Sequence, residues 1–224
     1  MGTEMEVSTT PSTAKAEILR RIRLAKGSTT DAGAAQSGWS RVVRQYRREA
    51  ALGREATLEM LEERLRDYDA HVARVGRADV AEAVARAIAG RGKRRMVIPS
   101  GLPAEWLPPG PEFVADEGMS ALELDRFDGV VTGSTVAIAE TGTIVLQNAF
   151  GQGRRAITLV PDYHLCLVRA EDVVEMVSEA MERLRDTSGL TTTFFSGPSA
   201  TADIEMTRIK GVHGPRHLDV VLVI

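Results

Sequence analysis

Apolar positions near the start of the chain recur every three or four residues, which places them on one face of an α-helix. The members of this first run are Ala14, Ile18, Leu19 and Ile22. Ser12 and Thr13 precede the run and can cap the helix with their hydroxyl groups. The next stretch, residues 26–38, is rich in glycine and small polar residues. The sequence therefore predicts a short helix followed by a flexible linker.

Further runs with the same spacing predict helices along the rest of the chain. They lie at residues 58–65, 79–90, 119–124 and 172–184. Asp79 and Glu82 have the spacing of a capping box at the start of the second of these helices, and Gly90 is a suitable stop. The run at 172–184 has the most regular amphipathic pattern in the sequence.

Short runs of β-branched and aliphatic residues between the helices predict β-strands. They lie at residues 68–75, 95–99, 113–115, 129–132, 144–146, 157–160, 164–168, 191–195 and 218–223. Because strands alternate with helices, we expect crossover connections and a mostly parallel sheet flanked by helices. The predicted class is α/β, with an N-terminal helical extension and linker over residues 1–55 and an α/β domain over residues 56–224.

Composition narrows the function classes without identifying one. An apolar fraction of 43% and a charged fraction of 26% are those of an ordinary globular protein. The net charge of −3 argues against nucleic acid or an anionic membrane as the main partner. No apolar run approaches the roughly 20 residues that a membrane span needs, and the N-terminus lacks an apolar signal core. We therefore expect a cytoplasmic protein.

Arginine is concentrated in one segment, residues 41–48, which contains four arginines around Tyr46. One interpretation is an arm that docks on an acidic partner or on nucleic acid. The other is the solvated face of a helix, which the acidic balance of the whole chain favours.

The single cysteine, Cys166, restricts the redox chemistry of the chain. One thiol cannot form an intramolecular disulfide, and iron–sulfur clusters typically need four thiolates. Its neighbours Leu165, Leu167 and Val168 are apolar. We therefore predict a buried structural thiol.

Two motifs resemble known ligand sites but lack the required context. Residues 151–156 have the glycine spacing of a dinucleotide fingerprint, but residues 157–161 predict a strand where the fingerprint needs a helix. His213 and His217 are four residues apart, but Gly214 and Pro215 between them interrupt any helix. We therefore predict neither a dinucleotide site nor a metal site.

Three loops rich in glycine, hydroxyl groups and acids each follow a predicted strand; they are residues 132–143, 196–205 and 211–217. In open parallel sheets, ligands bind beyond the carboxyl ends of strands, where backbone N–H groups can approach an anion. The loops therefore predict a carboxylate or phosphate pocket, although tight turns have the same composition. The candidate anion-binding residues are Gly133, Ser134, Thr135, Thr141, Gly142, Thr143, Arg154, Gly197, Ser199, Thr201, Asp203 and His213.

Glu140 is the candidate catalytic carboxylate. It lies between a predicted helical turn and the Thr141-Gly142-Thr143 loop, where burial would raise its pKa and suit it to acid–base or nucleophilic chemistry. The alternative is a carboxylate that caps neighbouring backbone N–H groups.

The same loops carry a family resemblance. Residues 137–143, followed by residues 154–161 and His164, resemble the core of the lactate-utilization (LUD) domain family. Residues 197–205 and 211–215 resemble its C-terminal signature, and the similarity extends from about Val75 to Ile224. The resemblance implies a fold similar to ribose-phosphate isomerases and CoA-transferases. It also implies a role in oxidising L-lactate to pyruvate beside iron–sulfur partner subunits, and the cysteine count places this chain among the members with no intrinsic cofactor.

Three hypotheses follow, in order of preference. The first is a cluster-free subunit of a lactate-oxidising system that binds lactate, pyruvate or a partner surface. The second is a stand-alone isomerase, CoA-transferase or cyclo-ligase acting on a phosphorylated or acyl substrate. The third is an interaction module that docks through residues 41–48.

Overall fold

The computed structural model describes residues 14–26, 32–201, 209–210 and 214–224. The chain divides into two compact units, one ending at Tyr46 and one spanning Arg47–Ile224. The first unit contains helix α1 (Ala14–Ala25), which confirms the predicted helix, and helix α2 (Ala32–Ser40). The linker predicted for residues 26–38 is therefore wrong over α2, because three alanines, the strongest helix formers, outweigh its two glycines.

The arginine-rich segment, residues 41–48, follows the end of α2 and forms no helix. The prediction that it is the solvated face of a helix is therefore wrong. The Arg44 guanidinium lies 4.6 Å from the centre of the Trp39 ring and donates to the carbonyl oxygens of Trp39 and Val42. Because that side chain occupies the carbonyl groups at the end of α2, the backbone turns away instead of continuing the helix.

In its described residues, the second unit contains twelve strands. They are β1 (His71–Val75), β2 (Arg95–Ile98), β3 (Glu112–Ala115), β4 (Gly129–Thr132), β5 (Val136–Ile138), β6 (Thr143–Gln147), β7 (Tyr163–Arg169), β8 (Val173–Val174), β9 (Thr192–Phe195), β10 (Ala200–Thr201), β11 (Ile209–Lys210) and β12 (His217–Val223). Six form a central sheet in the order β1-β12-β7-β4-β2-β3, and every neighbouring pair is parallel. A second, mixed sheet has the order β8-β5-β6-β9. The predicted α/β class with a parallel sheet is confirmed.

Helices cover both faces of the central sheet. Helix α4 (Val80–Gly90) packs Val84 and Ile88 into one face, and helix α3 (Arg54–Asp67) packs its leucines with the second sheet against the other. Complete burial of one such aliphatic side chain contributes about 2 kcal/mol to the stability of the fold. The buried face of each helix therefore carries apolar residues at helical spacing, and this spacing can be recognised in the sequence. Cys166 is fully buried in the α3 layer, as predicted.

Several local predictions are corrected by side-chain hydrogen bonds. Residues 157–160 do not form a strand; a short 3₁₀ helix spans Arg155–Thr158, because the Thr158 hydroxyl donates back to the Arg155 carbonyl at 3.1 Å. The dinucleotide fingerprint therefore precedes a single helical turn, too short for an α-helical pyrophosphate site. The capping box predicted at Asp79 is also wrong, since that side chain makes no cap hydrogen bond.

The helix predicted at residues 172–184 begins later than expected. Val173 and Val174 pair in the second sheet as β8, and helix α6 spans Val177–Arg183. The Glu179 carboxylate accepts from the N–H groups of Glu175 and Met176, which fixes the start of α6. Helix α5 (Ala121–Leu124) begins at a complete capping box formed by Ser120 and Glu123. In the described part of the chain, no helix has the length and apolarity needed to cross a membrane.

Candidate functional site

A small pocket lies between the two sheets, beside the amino ends of β7 and β12 and the end of β9. We call it the inter-sheet pocket; it has a volume of about 80 Å³ and is lined by Arg155, Thr158, His164, Phe195, Leu218 and residues 197–199 and 214–215. It contains the predicted residues Gly197 and Ser199. The second and third predicted loops therefore approach each other here. They do so at the amino ends of parallel strands, not at the carboxyl ends as expected.

His164 is a buried neutral group of this pocket. Its side chain is almost inaccessible, and its ring lies 5.2 Å from that of Phe195. Burial, reinforced by the nearby Arg155 charge, lowers the pKa of His164 to about 3. The imidazole is therefore uncharged near neutral pH.

The Thr132 hydroxyl contacts one nitrogen of the His164 ring. The Nε2 atom lies 2.8 Å from that hydroxyl, and the Cys166 sulfur lies 3.7 Å from it. The tautomer of the ring decides the direction of the first contact: the hydroxyl donates to Nε2 when the ring proton resides on Nδ1, and accepts from Nε2 when it resides there. Among the described residues Nδ1 has no hydrogen-bond partner. In the tautomer with the proton on Nδ1, His164 can donate to a ligand without carrying charge.

Arg155 supplies the positive charge of the inter-sheet pocket. Its Nη1 atom contacts the Thr158 hydroxyl at 3.1 Å and the Thr158 carbonyl at 3.4 Å. No carboxylate within the described ranges pairs with it. Partial burial lowers the pKa of Arg155, but a guanidinium remains protonated in proteins. A desolvated cation without a carboxylate partner is suited to bind an anion.

Arg154, the predicted anion-binding arginine, lies in a different cavity. We call this the carboxyl-edge cleft; it has a volume of about 500 Å³, lies beyond the carboxyl ends of β2 and β3 and is lined mainly by Pro99, Ser100, Asp116, Phe150, Arg154 and Leu190. Arg154 binds the Asp116 carboxylate at 2.6 and 2.8 Å and also donates to the Met119 carbonyl. That guanidinium holds the pKa of Asp116 below its ordinary value.

The first predicted loop is held largely by contacts within the protein. The Gly133 N–H donates to the Gly151 carbonyl at 2.6 Å, and the Thr135 hydroxyl donates to the Gln152 side chain at 2.7 Å. The Ser134 hydroxyl donates to a carbonyl of β7 at 3.3 Å. These residues line neither of the two cavities described above. Their hydrogen bonds match the alternative interpretation, in which they build a turn.

The Thr141-Gly142-Thr143 segment forms a turn against α3. Gly142 has φ of +59°, and a Cβ there would lie 2.8 Å from the Cβ of Arg64. The hydroxyls of Thr141, Thr143 and Ser196 form a chain with both links at 2.7 Å. This chain joins the first predicted loop to the second.

Glu140 is placed differently from the prediction. It follows strand β5 and does not follow a helical turn, and 54% of its side-chain surface is exposed, so the expected burial is wrong. Its nearest cation is Arg47, with 3.8 Å between the two charged groups. Glu140 lines neither the inter-sheet pocket nor the carboxyl-edge cleft.

A buried carboxylate close to Glu140 in space was missed by the sequence analysis. The Glu175 side chain is 3% exposed and accepts from the Arg47 guanidinium and from the N–H groups of Ala51 and Leu52. These partners, with the Leu52 N–H contributing most, lower the pKa of Glu175. An acid inside the apolar run Val173–Val177 was the available signal.

The remaining candidates lie mostly beyond what the structure describes. Asp203 and His213 fall outside the described residues, and of Thr201 only its place in β10 is described. Arg216, which lies in the third predicted loop, forms an ion pair with Asp162 at 2.5 Å. In the described ranges, no three His, Cys, Asp or Glu side chains converge as metal ligands.

Similarity to known proteins covers most of the chain. The model of the LUD domain matches residues 58–223. A protein of Deinococcus radiodurans called Lactate utilization protein C is 42% identical over 223 residues, covering 97% of this chain and all of the relative. A protein of the same name from Bacillus subtilis is 32% identical over 119 residues, about half of each chain. The LUD resemblance predicted from the loop motifs is thereby confirmed.

A solved structure supports the same relationship. The crystal structure of a DUF162 family protein from Deinococcus radiodurans superposes with a TM-score of 0.68 at 39% identity. The superposition covers 77% of this chain and 99% of that chain. The α/β fold described above is therefore shared with a protein whose structure has been determined by experiment.

Proposed function

The chain belongs to the LUD domain family, and on that premise we propose that it serves in the use of L-lactate, as a subunit that binds a small carboxylate. The name of its relatives, Lactate utilization protein C, supports the role in lactate use. A single cysteine, fully buried in the core, supports a subunit without an iron–sulfur cluster of its own. The electrons of the reaction would pass to iron–sulfur partner subunits.

The observation that carries the carboxylate site is the pairing of Arg155 with His164 in the inter-sheet pocket. A carboxylate placed there would accept from the guanidinium and, in the tautomer with the ring proton on Nδ1, from His164. The negative charge of the ligand offsets the desolvation of Arg155. Because the histidine is uncharged, the site binds a monoanion without accumulating excess positive charge.

The size of the pocket favours a very small acid. A volume of about 80 Å³ is well below the roughly 300–1,000 Å³ of sites for drug-sized ligands. A three-carbon acid such as lactate or pyruvate fits such a volume. A sugar phosphate or an acyl-CoA does not, which weighs against the second hypothesis, a stand-alone isomerase, CoA-transferase or cyclo-ligase acting at this pocket.

The pocket residues would orient the substrate and keep water from it. Arg155 and His164 would hold the carboxylate, and the Phe195 ring would cover one side of the acid. Thr132 would position the imidazole through its contact with Nε2. Oxidation of lactate to pyruvate removes one proton from the hydroxyl group, one proton from the carbon that bears it, and two electrons; the protons would pass to solvent and the electrons to the partner subunits.

Titration calorimetry on the purified full chain tests the carboxylate site. We expect L-lactate or pyruvate to bind, and we expect Arg155→Met to leave any binding of ribose 5-phosphate unchanged, since that ligand would not occupy the small inter-sheet pocket. Arg155→Met should weaken binding of the acid about tenfold or more, because the one cation that lines the pocket among the described residues is lost. Arg77→Met is the matched control, since Arg77 is exposed and forms an ion pair with Glu171 on the surface. Binding of the acid by Arg155→Met with unchanged affinity would overturn the assignment.

A genetic experiment tests the role in lactate use separately. We expect a strain that lacks this chain to lose growth on L-lactate while it still grows on pyruvate, and the tagged protein to co-purify with iron–sulfur subunits. Unimpaired growth of the deletion strain on L-lactate would contradict the proposed role.

A further inference from the structure

The carboxyl-edge cleft lies beyond the carboxyl ends of parallel strands, the edge at which open sheets commonly bind ligands. The chain runs from β2 to β3 on one side of β2, whereas β4 and the next strand of this sheet in chain order, β7, lie on the other side. The direction of winding therefore switches between the adjacent strands β2 and β4. The cleft adjoins this switch on the β2 side, because residues that follow β2 and β3 line it and those that follow β4 do not. Its volume of about 500 Å³ is that of a ligand site.

One wall of the cleft presents an anchored cation. Arg154 uses Nε and Nη2 for Asp116 and Met119, and its Nη1 atom has no partner among the described residues. The Asp116 side chain is 7% exposed, whereas that of Arg154 is 35% exposed. The ion pair therefore fixes the guanidinium with one edge open to the cleft, an arrangement suited to an anionic oxygen.

Another wall presents an exposed aromatic ring. Phe150 is 83% exposed, and its inner atoms pack against Gly101, where a Cβ would lie 2.6 Å from the ring. Gly101 has φ of +81°, which favours glycine, so backbone and ring approach each other closely. Leu190, which is 40% exposed, lines the same cleft. A fixed, solvent-facing ring beside a cation is suited to stack on a planar group.

We propose that the carboxyl-edge cleft binds an anion that carries a planar ring, of about the size of a mononucleotide, with its anionic group on Arg154 and its ring on Phe150. This site is separate from the inter-sheet pocket, because different side chains line the two cavities. It is therefore a second ligand site, independent of the proposed carboxylate site.

Calorimetry on the full chain with adenosine 5′-monophosphate as the probe tests the proposal. Adenosine and ribose 5-phosphate serve as its two halves. We expect the nucleotide to bind about tenfold more tightly than either half, because it engages the ring and the cation together. The proposal is overturned when the nucleotide binds no more tightly than adenosine, or no more tightly than ribose 5-phosphate.

Variants assign the two walls. Phe150→Ala should reduce nucleotide affinity about tenfold and leave ribose 5-phosphate affinity unchanged. Leu122→Ala, which truncates a side chain that is 79% exposed and does not line the cleft, is the matched control. Arg154→Lys retains a cation for Asp116 but loses the planar guanidinium. It should lower the affinity for the nucleotide more than the affinity for adenosine. Unchanged nucleotide affinity in Phe150→Ala overturns the proposal. Self-association of the wild type that is abolished in Phe150→Ala also overturns it, because the ring would then serve contacts between copies of the chain.

Titration of the same samples with L-lactate separates this inference from the proposed carboxylate site. Wild-type protein that binds lactate but not the nucleotide contradicts only the cleft. Wild-type protein that binds the nucleotide but not lactate contradicts only the inter-sheet pocket.

Discussion

Arg154 and Arg155 are neighbours in the sequence, yet their side chains line different cavities. The backbone of Arg154 is extended, with φ of −77° and ψ of 155°, which directs successive side chains to opposite sides. Arg154 therefore reaches the buried Asp116 beyond β3, whereas Arg155 lies near His164 between the sheets. Arg154 has a carboxylate partner, whereas Arg155 has none among the described residues and carries the charge of the proposed carboxylate site.

The two arginines should differ in their effect on stability. Arg154→Met should lower the free energy of unfolding by about 2 kcal/mol, because Asp116 would keep a buried charge without its partner. Arg155→Met should change it by less than about 0.5 kcal/mol. Urea unfolding measures both values. Adding Asp116→Asn to Arg154→Met should recover part of the loss, and equal losses in the two single variants would contradict this assignment.

His164 should make stability depend on pH in a defined window. Its folded-state pKa of about 3 lies below the ordinary value of 6.5, so between those values the unfolded chain binds the proton more readily. Stability is complete above pH 6.5 and falls as the pH decreases towards 3, by at most about 1.4 kcal/mol per pH unit.

Urea unfolding of His164→Gln and the wild type between about pH 6.5 and about pH 5 measures this contribution. The variant should lose less stability over that interval, because glutamine does not titrate. His217, whose pKa is also lowered by burial, titrates in both proteins and cancels in the difference. Identical pH slopes would show that His164 does not carry the effect.

The Glu175 carboxylate should hold the backbone of residues 51 and 52. Glu175→Gln removes the charge that Arg47 and the N–H groups of Ala51 and Leu52 share, so the amide hydrogens at positions 51 and 52 should exchange faster. Hydrogen exchange followed by mass spectrometry measures this. Glu171→Gln is the control, since Glu171 is an exposed partner of Arg77. Exchange rates equal to those of the wild type would contradict the role.

Gly142 should tolerate alanine less well than a glycine of similar backbone conformation. Gly92 has φ of +65° with no atom within 4 Å of an added Cβ, so Gly92→Ala should cost only the backbone strain, about 1 kcal/mol. At Gly142 the added Cβ would also meet Arg64 at 2.8 Å. Gly142→Ala should therefore lower the free energy of unfolding by at least about 2 kcal/mol. Equal losses in urea unfolding would contradict the close packing on α3.

Patterns that depend on one face of an element could be predicted from the sequence. The leucines of α3 and the aliphatic residues of α4 appear at helical spacing because each helix buries one side. Boundaries set by individual side chains could not be predicted. Glu179 fixes where α6 begins, and Thr158 closes a helical turn where a strand was expected. These hydrogen bonds depend on geometry that hydrophobic periodicity does not encode.

The sequence by itself determined the α/β class, the buried cysteine and the membership of the LUD domain family. Only the tertiary structure decided that Arg155 and His164 share a pocket, that Asp116 occupies one edge of Arg154, and that Glu140 is exposed while Glu175 is buried. The physical reason is that local patterns encode which face of an element is buried, whereas a site depends on which distant strands pair. Strand β12, last in the chain, lies between β1 and β7, and this pairing brings residues 214–215 to the pocket of His164.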